Sequence, residues 1–112
     1  MPNQKPIICL PVQTTHNIRS PIQDYVKDGK FQVLLNETFV KISDLSWIKK
    51  IFNKAKKFKG TEVHFVIVGH PLVSLVAIQA ISKFASKLIV YAWDRQTRKY
   101  VRIKYPYEEG IE

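Results

Sequence analysis

A chain of 112 residues, 46% apolar and 24% charged, has the size and composition of one soluble globular domain and excludes wholesale disorder. Its single cysteine, Cys9, excludes an intrachain disulfide and favours a reducing, cytoplasmic setting, while no apolar run approaches the ~20 residues of a membrane span and no signal peptide is visible. A net charge of +9, from 18 basic and 9 acidic residues, favours phosphate-bearing partners, with a lysine-rich solvated surface as the equal alternative.

Pro6 to Val12 reads as a first strand, because Ile7, Ile8, Cys9, Leu10 and Val12 are too continuous for a half-exposed one. A polar loop follows: Gln13, Thr14, Thr15, His16 and Asn17. Ser20-Pro21-Ile22-Gln23 has the form of a capping box with proline at the first helical position, and Gly29 is placed to end that short helix. Phe31 to Leu35 alternates as a second strand; Asn36-Glu37 suits a turn, and Thr38 to Ile42 an extended or paired segment. Asp44 is placed to cap a helix running to about Phe58. Leu45, Ile48, Ile51, Phe52 and Ala55 form its apolar face, opposite Lys49, Lys50, Lys54, Lys56, Lys57 and Lys59, and Gly60 ends it.

The most informative stretch comes next. Val63 to Pro71, VHFVIVGHP, feeds directly into a helix that is apolar almost all round, from Leu72 to Ala85. Phe65 to Val68 has the pattern of a strand buried on both faces; Gly69 permits a tight turn, and Pro71 suits the first helical position. Free backbone N–H groups at such a helix start favour an anion. Leu88 to Trp93 is a further strand, Asp94-Arg95-Gln96-Thr97 a hairpin turn into Lys99 to Lys104, and Pro106 to Glu112 an irregular tail. Strands alternating with helices predict the α/β class: a single Rossmann-like domain over residues 1–105, with a mostly parallel open sheet, helices on both faces and a C-terminal β-hairpin, then a tail over 106–112. Loops 13–19 and 69–71 then share the edge at the carboxyl ends of the strands, where ligands bind in such sheets.

Candidate chemistry collects at that edge. His70 and His16 are candidates for proton transfer or phosphate binding, each against the plainer reading of an ordinary structural or loop histidine. Gln13, Thr14, Thr15 and Asn17 have groups for phosphate or base; Arg19 can clamp a phosphate; Gly69, Pro71 and Leu72 form the helix start, and Ser74 follows one turn in. Arg95, with Gln96 and Arg98, can cover the site from the hairpin turn. Loop formation, surface ion pairing and packing are the plain alternatives for these residues. His64 lies within a strand and reads as packing, as do Trp47 and Trp93. Metal-ligand spacings, Walker or dinucleotide glycine fingerprints and a carboxylate cluster are missing, so neither metal nor cofactor is expected. Cys9, inside a strand, reads as inert.

The segment VHFVIVGHPLVSLVAIQAISKFASKLIVYAWDRQTRKYVRI resembles the closing unit of CRISPR-associated Rossmann-like domains, the CARF and SAVED group. The shared features are an apolar strand, a proline-bearing turn, a buried helix, the strand Val90-Tyr91-Ala92-Trp93-Asp94 and the return Tyr100-Val101, over about 43 of 112 residues. The resemblance implies a cyclic oligoadenylate ligand of type III CRISPR immunity, bound across a homodimer. For so short a chain it implies a metal-independent ring nuclease of antiviral defence. The ribose 2′-OH would attack the neighbouring phosphorus, with His70 or His16 moving the proton. A non-catalytic sponge or regulatory subunit needs the same pocket and stays open. A general single-stranded RNA-binding protein, or non-specific nucleic-acid contact, rests on charge and aromatics alone. No membrane partner is expected.

Overall fold

The apolar runs become strands lying side by side. The computed structural model describes residues 5–14, 19–37 and 40–107. In chain order the elements are β1 (Ile7–Val12), α1 (Arg19–Gln23), β2 (Lys30–Leu35), α2 (Ser46–Ala55) continuing as a 3-10 turn (Lys56–Phe58), β3 (Glu62–Val66), α3 (Pro71–Phe84), β4 (Lys87–Asp94) and β5 (Lys99–Tyr105). They build one α/β domain with a five-stranded sheet in the order β2-β1-β3-β4-β5. The pairs β1–β2, β1–β3 and β3–β4 are parallel, whereas β4–β5 is an antiparallel hairpin. The expected mostly parallel sheet is therefore mixed, because a tight turn can only return a strand antiparallel.

Strand periodicity divides the interior into two cores. Cys9, Val63, Phe65, Leu88 and Val90 face one side, where Ile51 and Ala55 of α2 and Val73, Ala77, Ala80 and Ile81 of α3 cover them. Ile8, Leu10, Val66 and Tyr91 face the other, under Ile22 of α1 and Val26 just beyond it. At roughly 1.5–3 kcal/mol for each fully buried large side chain, the α2–α3 side supplies most of the hydrophobic stabilisation. Among the described residues, no helix is long and apolar enough to cross a membrane.

Several local expectations change: β3 is Glu62–Val66 and not Phe65–Val68, and α1 begins at Arg19, so Ser20 lies within it and not at its cap. The N-cap of α2 is Leu45, and Asp44 instead accepts the Ser46 N–H at 3.2 Å, one position earlier than a cap. Residues 40–42 form no strand; Val40 and Ile42 pack on the core, and the Ile42 carbonyl accepts the Trp47 indole N–H at 3.2 Å. Thr38 and Phe39 lie outside the described residues. After α1 the left-handed residue is Asp28 (φ 62°) and not Gly29.

Among the described residues two glycines have positive φ, Gly60 at 74° and Gly69 at 77°. A Cβ on Gly60 meets nothing within 4 Å, while one on Gly69 meets Val12 Cγ2 at 3.1 Å. Gly60→Ala should cost about 1–2 kcal/mol from the backbone alone. Gly69→Ala should cost more, because Val12 must also shift. Urea unfolding of the two variants measures this, and a larger loss at Gly60 would refute the assignment.

Candidate functional site

Because β1 and β3 are parallel neighbours, the chain leaves both at the same sheet edge. From there α1 goes to one face and α3 to the other, which opens a crevice at the point where the strand order reverses. A cleft of about 560 Å³ lies there, with Val12, Val40, Ile42 and Val73 as apolar walls and Lys41, Ser43 and His70 among its polar lining.

His70 is the N-cap of α3, and its Nδ1 accepts the Leu72 N–H at 3.1 Å. The neutral ring therefore carries its proton on Nε2, and the exposed ring can donate one hydrogen bond outward. The His70 carbonyl accepts from the N–H groups of Val73 at 3.1 Å and Ser74 at 3.4 Å, and Pro71 has none to give. The expected set of free donors is thus engaged within the chain, because the histidine caps its own helix. Ser74 is buried, with no hydrogen-bond partner for its Oγ, and does not open onto the edge.

The other expected residues are spread more widely. Gln13 is exposed; its Nε2 donates to Asn36 Oδ1 at 3.5 Å and its backbone N–H to the Glu37 carbonyl at 2.9 Å. Thr14 is half-buried beside it. Thr15, His16 and Asn17 lie outside the described residues, as does the side chain of Arg19. Pro71 and Leu72 are exposed on the first turn of α3. Arg95 is exposed at the far end of the same edge, beyond β4.

A second concavity adjoins that hairpin. Asp94 organises the turn: its Oδ1 accepts the Gln96 N–H at 3.0 Å, its Oδ2 the Thr97 hydroxyl at 2.9 Å, and its carbonyl the Arg98 N–H at 2.8 Å. Arg98 takes a left-handed conformation, φ 55°. Below the turn a groove of about 570 Å³ runs between Asp24 and Tyr25 on one side and Trp93, Arg98, Lys99 and Tyr100 on the other. Trp93 meets Tyr100 edge to face, with centroids 5.1 Å apart at 68°. Trp93 is 49% exposed, against the expectation of burial, while Trp47 is buried as expected. Pro21 of α1, with Asp24 and Tyr25 just beyond it, reaches the groove beside Trp93 but leaves about half of the indole surface open.

A polar chain runs across three strands of the sheet, from Arg102 of β5 through Tyr91 of β4 to His64 and Glu62 of β3. The Tyr91 hydroxyl is 2.8 Å from His64 Nδ1, and His64 Nε2 is 2.6 Å from Glu62 Oε2. Arg102 hydrogen-bonds the Tyr91 hydroxyl and stacks on Tyr25, 4.9 Å from its centroid. With a neutral imidazole the donors run in one direction: Arg102 to Tyr91, Tyr91 to Nδ1, and Nε2–H to Glu62. Burial holds the His64 pKa below its ordinary value, opposed by the hydrogen bond and charge of Glu62. Burial raises the Tyr91 hydroxyl, opposed by Arg102. Sequence reading placed His64 as packing but missed its partners, since residues 62, 64, 91 and 102 meet only through strand register. Cys9 is fully buried and its thiol pKa is pushed far up, which leaves it unreactive.

The family model described as Phage Pam3 gp32-like protein matches residues 9–107, and the chain belongs to that family. Nothing among curated proteins or solved structures matches it. The membership overturns the CRISPR-associated resemblance. The ring-nuclease function, the cyclic oligoadenylate ligand, and the sponge, regulatory and RNA-binding alternatives are withdrawn with it. The strand–turn–helix pattern behind them records burial on both faces of a sheet, which any open α/β domain requires.

The His64 network predicts a pH dependence. The folded pKa lies below the unfolded value of 6.5, so the unfolded chain binds the proton more tightly. The stability it contributes is complete above about 6.5 and is lost as pH falls through the folded pKa. Melting temperatures measured from about pH 7.5 to pH 5 should fall more steeply for the wild type than for His64→Gln. Parallel curves for the two proteins would contradict this.

Proposed function

We propose that this phage Pam3 gp32-like protein is a docking protein that takes an extended, acidic segment of another polypeptide as an added strand beside β5. One observation carries the reading: β5 is a seven-residue edge strand, exposed along almost its whole length, with its side chains sorted by face. Val101, Ile103 and Tyr105, 53%, 43% and 40% exposed, stand opposite Ala92, Val90 and Leu88 on the α3 side. Tyr100, Arg102 and Lys104 stand opposite Trp93, Tyr91 and Ile89 on the α1 side. An open edge offers main-chain hydrogen bonds to an incoming strand, and alternate side chains select it. The complement of this edge alternates apolar residues with carboxylates.

Self-pairing is disfavoured by the same residues. An antiparallel pair of β5 strands centred on Arg102 sets that residue against its copy, and one centred on Ile103 sets Arg102 against Lys104. The homodimer expected from sequence is therefore not the occupant proposed for this edge. The finer reading of the fold as Rossmann-like belongs to the same proposal. The parallel block β1–β4, with its order reversing between β1 and β3, supports it, and β5 is then an addition outside that block.

A blocked peptide of about eight residues, alternating glutamate and valine, matches one edge strand in length. Added to the labelled protein, it should shift backbone amide resonances of residues 99–105. Replacing its glutamates by lysine should weaken binding about tenfold or more, and added salt should weaken the glutamate peptide. Lys104→Glu should cost about three- to tenfold in affinity, while Lys57→Glu, exposed beyond α2, should leave it unchanged. Equal affinity for the two peptides, or shifts confined to another surface, would end the proposal.

A further inference from the structure

The groove under the hairpin turn meets the docking edge at Lys99 and Tyr100, and Tyr100 is the first α1-side residue of β5. We infer, resting on the docking reading, that the groove receives an aromatic side chain of the docked segment, one position along from its carboxylates on the same face. The partner's α1-side pattern is then aromatic beside Tyr100, followed by acids beside Arg102 and Lys104.

Three features point to an aromatic group. Tyr25, Trp93 and Tyr100 contribute rings to the groove, and Trp93 leaves half its surface exposed beside an edge-to-face contact with Tyr100. Aromatic rings favour such tilted contacts over plain apolar ones. Reach is adequate, because side chains diagonal across neighbouring strands lie about 7–8 Å apart, within range of an aromatic ring. Charge excludes a cationic side chain. Arg98 and Lys99 outweigh Asp24 in the groove, and Arg102 already occupies the Tyr25 ring. None of Asp24, Arg98 and Lys99 forms an ion pair with another described residue, so both cations are available to carboxylates flanking the aromatic group.

The test uses the full chain and three blocked peptides of alternating glutamate and valine, one carrying phenylalanine at its first glutamate position, one at its last, and one carrying alanine there. Trp93 reports directly, because acrylamide quenches the half-exposed indole and not the buried Trp47. One phenylalanine peptide should bind about three- to tenfold more tightly than the alanine peptide and protect Trp93 from quenching. In Trp93→Leu the phenylalanine advantage should vanish while the alanine peptide still binds. If all three peptides bind alike and Trp93 stays quenchable, the groove inference is wrong and the docking reading survives. If none binds, the docking reading itself has failed. If the phenylalanine advantage persists in Trp93→Leu, the aromatic group sits elsewhere and the inference is overturned.

Discussion

The unequal cover of the two sheet faces governs the rest of this molecule. Ten residues of α2 and fourteen of α3 close one face with a continuous apolar layer. The five residues of α1 cannot close the other. What remains of that face is covered by side chains that combine apolar bulk with polar tips. Tyr25 lies over Tyr91 with centroids 5.8 Å apart, Arg102 lies over Tyr25, and His64 fills the space between Tyr91 and Glu62. Each brings a polar atom into a partly dry place, and each atom must find a partner. The directional chain from Arg102 to Glu62 is the outcome of that requirement, and it ties the outermost strand to β3 by side chains as well as by β4.

Much of the fold was legible because burial leaves a period in the sequence. The runs Ile7–Val12 and Phe65–Val68 read as apolar on both faces; the first is β1, the second overlaps only the end of β3, and both are inner strands. Lys49 and Lys50 mark the solvent side of α2 because Trp47, Ile51 and Ala55 mark its inner side, whereas Lys54 reaches back to β2. The candidate site was far less legible. A histidine followed by proline at a helix start looks the same whether its N–H groups are free or already bonded, and here His70 uses them itself. Trp93 reads as core because tryptophan usually is; its exposure depends on how much of it a segment distant in sequence, Pro21 to Tyr25, leaves uncovered. The groove pairs Asp24 and Tyr25 with residues some seventy positions later, and no local pattern records such a meeting.

The misleading resemblance has the same origin. Strand, tight turn, buried helix and strand are what a parallel sheet needs in order to continue, so the pattern reports architecture before ancestry. Ala77 and Ala80, which lie fully buried on the inner side of α3, answer to the sheet beneath them and not to any ligand. The docking reading rests instead on β5, a strand that alternates without being half-buried. Alternation normally separates core from solvent. On β5 it separates Val101, Ile103 and Tyr105, exposed on one face, from Arg102 and Lys104, exposed on the other.

The sheet has a second outer strand, β2, and it is furnished differently. Lys54 reaches from α2 to donate to the Val33 carbonyl of β2 at 3.4 Å, and Lys50 pairs with Glu37 just past the end of that strand at 4.0 Å. A ribbon of molecules joined sheet to sheet needs two receptive edges on every copy, one to give and one to take. This domain presents an open edge at β5 and a lysine-tethered one at β2. On the docking reading, a strand added at β5 would leave β2 as the other outer strand, and the Lys54 bond there makes the two edges unequal hosts for a further chain.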